Sequence, residues 1–500
     1  MNDDFDTSAE LVLAAEDCSP ERFEALHRFT THSDRRILTA LKAHGPVLLR
    51  GGRGSGKSAF MISASRQMDP QTPAAAAIGL YMSLRHAPLL KSTGEKYGRI
   101  LCGIIIRTVR ESLGDRASDF DPEEEVGSVQ IALTLLAQSL GKRIVLFFDD
   151  AAHLGREASL EEFFDIYRTL SGNAVSCKAA IYPGVTSFGV RFDVYNDATV
   201  IDLLRSEEMP GFAVTFEEVM ATRFPKAFGT DKFRSGFERS TVAAFLAQAT
   251  LGNMRGFVIA CSMLESLSEG NQVSMPDLTN TLVRLASNHY WPLLEEIEPK
   301  LGRYQPMVKT ARELAQMLFE DCAKRDRNPK DVVIHRDLDE ALAKPLQILE
   351  YAGFISKREA SRGMKQGGRG ARYALNLCSL LEETKGSRLT KDLFDRWTAP
   401  TREEAVQFNK FSKLSGIELP KPLDEGTDLA ILKGPIETLK KSNAYPYGLT
   451  TLKIEVLQEA GLVTVGDLAD ADDATLDALS GINQAWIRRI RNVLGQAIWM

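Results

Sequence analysis

The sequence predicts an α/β protein: a parallel-sheet core with a helical lid, then a small domain of helices and a two-stranded hairpin, then a small all-α domain. Three observations lead there. Between residues 46 and 205 short β-rich runs alternate with helical stretches, the pattern of a parallel sheet covered by helices on both faces. The stretch "VLLRGGRGSGKSAF", residues 47–60, sets a glycine-rich loop between an apolar strand and a helix. The most apolar strand, "RIVLFFDD", residues 143–150, ends on two adjacent carboxylates.

Residues 1–45 are acidic at first and then amphipathic through "PERFEALHRFTTHSDRRILTALKAHG", which reads as one or two helices ending at Gly45. The core, 46–205, takes its strands from "PVLLR", "AAAIGLYMSL", "RIVLFFDD", "CKAAIYPG" and "ATVIDLL". From 206 to 300 helical periodicity takes over in "TFEEVMATRF", "RSTVAAFLAQATL" and "RGFVIACSMLESL", a helical lid. Residues 301–382 add helices and two short strands around a basic, glycine-rich loop. The segment 383–433, with several prolines and charges, reads as a partly helical linker, and 434–500 as four or five short helices punctuated by Gly461, Gly466 and Gly481.

Five hundred residues exceed what one hydrophobic core sustains, so roughly three or four domains are expected. Apolar residues make up 44% and charged residues 26%, which excludes wholesale disorder, and a net charge of −6 excludes a global basic footprint. Contact with nucleic acid therefore requires a local patch. Cys18, Cys102, Cys177, Cys261, Cys322 and Cys378 lie far apart with no C-x-x-C pair, so they read as reduced packing residues. The acidic start is unlike a signal peptide, and no apolar run approaches the ~20 residues that cross a bilayer. A cytoplasmic location without membrane contact is expected.

"GGRGSGKS" fits G-x-x-x-x-G-K-[ST] over Gly51, Gly52, Arg53, Gly54, Ser55, Gly56, Lys57 and Ser58. The spacing has a chemical reason. Glycines let consecutive backbone N–H groups turn inward around phosphate oxygens, and the following helix presents its positive end. Lys57 is expected to reach the β and γ phosphates of ATP, and the Ser58 hydroxyl to bind Mg²⁺. Asp149 is expected to hold that Mg²⁺ through water, and Asp150 to polarise the attacking water. An aspartate there is one methylene shorter than the usual glutamate, so slow or partner-dependent hydrolysis is expected.

Together with the strand "KAAIYPGVTSF" and the helical "LGNMRGF", these motifs resemble the AAA+ ATPases, within them the origin-recognition or initiator clade, whose core is followed by a winged helix. The resemblance covers 46 to about 380; "DDAAHL" departs from the initiator pattern and is also similar to transposition-regulator ATPases and signalling NTPases. It implies a polar contact to the γ-phosphate after the fourth strand, matched by Thr186 or Ser187. It implies a lid arginine that senses the γ-phosphate, matched by Arg255. An arginine finger from a neighbouring subunit is implied as well; Arg168, Arg191 and Arg205 are candidates and Arg191 is favoured. A homo-oligomer follows from the same resemblance.

In "HRDLDEALAKPLQILEYAGFISKREASRGMKQGGRGARYALNL" the order helix, Gly353, strand, basic loop, strand is that of a winged helix. Between Gly353 and Tyr373 stand Lys357, Arg358, Arg362, Lys365, Arg369 and Arg372 against the single acid Glu359. Such a loop suits double-stranded DNA, through phosphates or a minor groove. The preceding helix is acidic, so shape and phosphate contact are expected over base reading.

The last fifty residues are similar to the helix-hairpin-helix C-terminal domain of the RNA polymerase α subunit, through "GLVTVGDLA" and "LDALSGINQAWIRRIRNVL". The basic positions of that family are replaced here by Leu452, Glu455 and "GINQAW". Arg488, Arg489 and Arg491 are left to meet phosphates, and docking of a protein effector is the alternative. Two functions are therefore expected to compete: an ATPase whose nucleotide state controls assembly and DNA binding, in replication, mobile-element maintenance or antiviral defence, and a signalling or scaffold NTPase that recruits a protein effector.

Overall fold

The computed structural model describes residues 15–71, 75–85, 89, 92–152, 160–185, 188–189, 191–399, 405–423, 430–442, 445 and 448–499. Five strands, β1 (Val47–Arg50), β2 (Ala77–Ser83), β3 (Arg143–Ala152), β4 (Val175–Ile181) and β5 (Thr199–Asp202), form one parallel sheet in the order β2-β3-β4-β1-β5. They coincide with the five β-rich runs. Because strand side chains alternate, each strand supplies both faces. Val47, Leu49, Val145, Phe147 and Ala180 pack with α2 (His32–Lys42) and α3 (Lys57–Arg66). Leu48, Ile78, Leu80, Ile144, Leu146 and Phe148 face α4 (Gly94–Leu113), α5 (Val126–Leu140) and α6 (Leu160–Leu170). α1 (Pro20–Leu26) places Phe23 against Ala59 and Ile62 of α3. All six cysteines are buried thiols.

The lid consists of α7 (Phe212–Arg223), α8 (Arg239–Ala249), α9 (Met254–Ser268), α10 (Met275–Leu285) and α11 (Trp291–Ile297). It shares one continuous apolar core with the sheet and with the next domain, which runs α12 (Met307–Ala323), β6 (Asp331–His335), α13 (Arg336–Ala341), α14 (Ala343–Ala352), β7 (Ile355–Gly363), β8 (Arg369–Leu375) and α15 (Leu377–Glu383). The single helix expected ahead of Gly353 is thus two, broken at Leu342, and β7 and β8 form the wing.

The wing sheet has four strands where two were expected, in the order β7-β8-β6-β9. Its last strand, β9 (Val406–Phe408), pairs parallel with β6 and comes from the segment expected as linker. That segment also carries α16 (Lys391–Thr398), whose Trp397 is fully buried and donates its Nε1 to Asn328 O at 2.9 Å. Prolines marked the segment as irregular, but its apolar residues complete the winged-helix core. The tail, with α17 (Thr451–Glu459), α18 (Val465–Asp470), α19 (Asp473–Asp477) and α20 (Gln484–Trp499), closes a separate core around Leu457, Leu468, Ile490 and Leu494. No described helix is long and apolar enough to cross a membrane.

Candidate nucleotide-binding site

The loop after β1 lies where the sheet order reverses, beside the carboxyl ends of β4 and β3, the position at which open α/β sheets bind ligands. Gly51 N–H donates to Ile181 O at 3.2 Å and ties the loop to β4. Gly54 and Gly56 hold φ of 79° and 99°, left-handed values that side-chain-bearing residues rarely adopt. Lys57 is buried and curls back: its Nζ donates to Gly51 O at 2.8 Å and Gly52 O at 3.1 Å, and it sits 3.7 Å from the centroid of the Tyr182 ring. Burial lowers the ammonium to about 7, against the pull of Asp149 and Asp150.

β3 pairs with β4 in register from Ile144↔Val175 to Phe148↔Ala179 and resumes at Ala152↔Ile181, so a bulge falls on the acidic pair. Asp150 takes φ of 54°, strain of the kind that re-aims a side chain at functional sites. Asp149 is 1% exposed, accepts from Tyr81 Oη at 2.7 Å and is hydrogen-bonded to Ser58. Burial, then the neighbouring Asp150 and Glu16, push its carboxyl up to about 7. Asp150, 3% exposed, meets Arg85 Nε at 2.7 Å and Tyr182 Oη at 3.4 Å. Arg85 also pairs with Glu16 at 2.8 Å; burial alone would lower its guanidinium, but the carboxylates outweigh that and raise it.

The lid closes directly on the loop. Asn253 caps α9 and donates its Nδ2 to Arg53 O at 2.5 Å, and the Arg255 N–H donates to Gly54 O at 3.1 Å. Arg53, Lys57, Arg85, Arg223 and Arg255 surround a cavity with Glu16 and His27. Arg53 Nη1 and Arg255 Nε are buried there without a hydrogen-bond partner. Burial, Arg53 and Arg85 lower the Arg255 guanidinium. His27 is held neutral, lowered to about 4 by burial and by Arg223. Five cations around one cavity fit a polyphosphate, and the Ser58–Asp149 contact fits a hard, oxygen-seeking cation. The cavity is about 90 Å³, below the ~300 Å³ of a small-ligand site, so lid and loop stand closer than a bound nucleotide permits.

The other expected residues fall in several places. Thr186 and Ser187 lie outside the described residues; Tyr182, at the end of β4, is the polar group that faces Lys57 and Asp150. Arg191 is exposed, 4.0 Å from Asp165, and its carbonyl accepts from Arg168. Arg205 turns inward: it donates to Ser55 O at 2.6 Å and faces Asp34 at 3.8 Å, so its position in this chain is behind the loop. Sequence reasoning missed Arg85, Tyr81, Tyr182, Asn253 and Glu16. Arg85 directly follows the second strand run and Tyr182 directly follows the last residue of β4, a positional signal that was available.

The wing cations divide. Lys365 and Arg369 are exposed, Lys357 pairs with Asp339 at 3.0 Å, and Arg362 with Glu359 at 3.4 Å. Arg358 and Arg372, expected on the DNA face, are corrected to buried positions. Arg358, 6% exposed in its side chain, meets Glu207 at 3.5 Å. Arg372, 3% exposed, meets Asp331 at 3.0 Å, Glu208 at 3.1 Å and Glu359 at 2.9 Å. Their charge faces the core–lid junction. α14 is also covered: Lys344 donates to Gly184 O at 3.2 Å, and the Tyr351 ring lies 5.1 Å from that of Tyr182. In the tail, Arg489 donates to Gly448 O and Arg491 to Asp473, leaving Arg488 exposed.

The sheet order, glycine loop, acidic strand and lid have the arrangement of a P-loop fold of the AAA+ type, with a winged helix after the lid as in initiator folds. Among solved structures the chain is similar to the Aeropyrum pernix Orc1 protein in complex with DNA, at 16% identity over 74% of this chain and 94% of that one, with a TM-score of 0.31. It is also similar to Cdc6p from Pyrobaculum aerophilum, at 13% identity over 76% and 96%, TM-score 0.31. A third is domain III of the Thermotoga maritima replication initiation protein DnaA, at 14% identity over 52% and 94%, TM-score 0.31. No protein-family model and no curated protein matches the chain.

Proposed function

We propose that the chain is an ATP-binding and ATP-hydrolysing switch whose nucleotide state controls self-assembly and the binding of double-stranded DNA through its winged helix. The observation that carries the reading is that one loop, Gly51–Ser58, is touched from three sides: by the acidic pair, by the lid through Arg255, and by α14 of the winged helix near Gly52. A change at that loop is felt by all three.

Lys57, Arg53 and Arg255 are the groups that would bind phosphates, and Ser58 and Asp149 those that would hold Mg²⁺, which when bound neutralises phosphate charge and orients the γ-phosphate. Asp150 is the proton acceptor for an attacking water, but it can accept at Oδ2 only once Arg85 gives up its 2.7 Å contact. Hydrolysis that waits on a partner is the consequence. Arg191, exposed beside α6, remains the candidate for a finger reaching a neighbouring copy. Lys357, Arg362, Lys365 and Arg369 are the outward cations proposed to meet DNA. The test is ATP turnover with and without duplex DNA, beside Asp150→Ala. Stimulation lost in the variant supports the reading; turnover indifferent to both overturns it.

The covered face of α14 and the inward Arg489 and Arg491 favour a second reading, a cytoplasmic signalling or scaffold NTPase in which the tail, with Leu452 and Val463 exposed, recruits a protein effector. Size chromatography with ATP and no DNA separates the two: defined oligomers without DNA favour this one.

A further inference from the structure

Arg358 is a wing cation whose carboxylate partner comes from another domain. It contacts Glu207 at 3.5 Å and Arg205 O at 3.4 Å, and its Nε is buried without a hydrogen-bond partner. Arg372 carries Asp331 and Glu359 from its own domain and adds Glu208, bonded by both terminal nitrogens at 3.1 Å. Lys330, also of the winged-helix domain, stands 3.9 Å from Glu207. Glu207 and Glu208 belong to the turn that follows β5 and precedes α7, the junction between core and lid. The same junction is bonded to the P-loop: Arg205, two residues earlier, donates to Ser55 O at 2.6 Å. A contact path therefore runs from the loop carbonyl through Arg205 and Glu207 to Arg358.

A buried ion pair that breaks even against desolvation adds little stability; its best-attested use is to specify one of two arrangements. Two adjacent carboxylates on two arginines of a wing present the same acceptor oxygens as successive phosphates. We propose that Glu207 and Glu208 are a phosphate mimic built into the core–lid junction: they occupy a nucleic-acid phosphate site formed by Arg358 and Arg372, and the junction must move before that site is offered to DNA. The inference rests on the DNA reading above and adds a masked site and the latch that masks it. In the latched state the wing presents its outward cations alone, and DNA binding is weak. Released, Arg358 and Arg372 add two phosphate contacts.

The test uses the full-length protein and a fluorescent random-sequence duplex, without nucleotide, with salt varied. Glu207→Gln/Glu208→Gln is compared with the wild type and with the charge-matched control Glu111→Gln/Glu123→Gln, two exposed carboxylates on α4 and on the loop ahead of α5. The latch predicts affinity about tenfold tighter than either, with a salt slope steeper by about 2, one for each freed phosphate contact. Each single variant keeps part of the network and therefore the fold, and is expected to steepen the slope by about 1. Wild type that binds in ATP while the double variant matches the control in affinity and slope overturns the latch alone. No binding by any of the proteins in any nucleotide state overturns the DNA reading and the latch with it.

Discussion

Arg85→Gln is the substitution on which the chemistry of the acidic pair turns. The Arg85 Nε to Asp150 Oδ2 distance of 2.7 Å corresponds to roughly 6 kcal/mol of attraction at an effective dielectric of ~20. Desolvation of both groups offsets part of it, and removing one partner of a buried pair costs about 3 kcal/mol. The loss should be local, because Asp150 sits at the bulge of β3, where Tyr182 and the buried Asp149 also stand beside it. Native-state hydrogen exchange of the β3 amides is the assay, and their opening free energy is expected to fall by about 3 kcal/mol. Asp150→Asn in the Arg85→Gln background should recover much of that, giving a coupling on the order of 2 kcal/mol in the double-mutant cycle. Turnover without DNA should rise in Arg85→Gln, since Asp150 Oδ2 then no longer meets a guanidinium, and should vanish in Asp150→Asn. Effects that add within about 0.5 kcal/mol, with turnover lost equally in both single variants, would show that Arg85 acts on the nucleotide and not on Asp150.

Gly54→Ala is expected to weaken nucleotide binding through the lid: φ of 79° costs about 1 kcal/mol for alanine, and the new Cβ would stand 2.6 Å from Arg255 Cβ. Calorimetry with a non-hydrolysable analogue checks it, and unchanged affinity refutes it. The fold holds His27 neutral, so its protonation favours the unfolded state; the stabilisation is complete above pH 6.5 and lost as pH falls toward 4. His27→Phe should remove an acid sensitivity worth about 2 kcal/mol between pH 7 and pH 5, read from stability at those two values. Trp397→Ala should cost about 3–5 kcal/mol and loosen the winged-helix domain while tail amides keep their protection, since the tail has its own core.

The parts of this architecture that follow from local pattern were legible: five β-rich runs became five strands, and the glycine loop followed the first of them. Local pattern does not reveal partners far along the chain. Arg358 and Arg372 read as two more cations of a basic loop, because nothing near them in sequence announces Glu207 and Glu208. Arg205 read as a candidate arginine finger, and only the folded chain sets it against Ser55 and Asp34. Val406 and Phe408 belong to a three-residue strand, too short for a period of two to show. Asp149 and Asp150 were legible as a pair, yet their unequal surroundings, Ser58 and Tyr81 against Arg85 and Tyr182, arise from a bulge that no periodicity encodes.

The resting contacts of the basic groups share one physical logic. A buried cation needs oxygen around it, and here each finds oxygen on a segment remote in sequence or on the loop itself: Lys57 on Gly51 and Gly52 carbonyls, Arg85 on Asp150 and Glu16, Arg205 on Ser55, Arg358 on Glu207. A polyphosphate offers more charge and more acceptor oxygens than any of these, so it competes first where the oxygens are weakest, at the two neutral carbonyls that hold Lys57. Drawing Lys57 out uncovers the Tyr182 ring, which is packed against Tyr351 of α14. Moving the loop carbonyl at Ser55 disturbs Arg205 and the junction beyond it. The order of release then runs from neutral to charged acceptors, from the loop outward to the wing, and a variant that weakens an outer pair should bypass the inner steps while one that locks Lys57 should block them all.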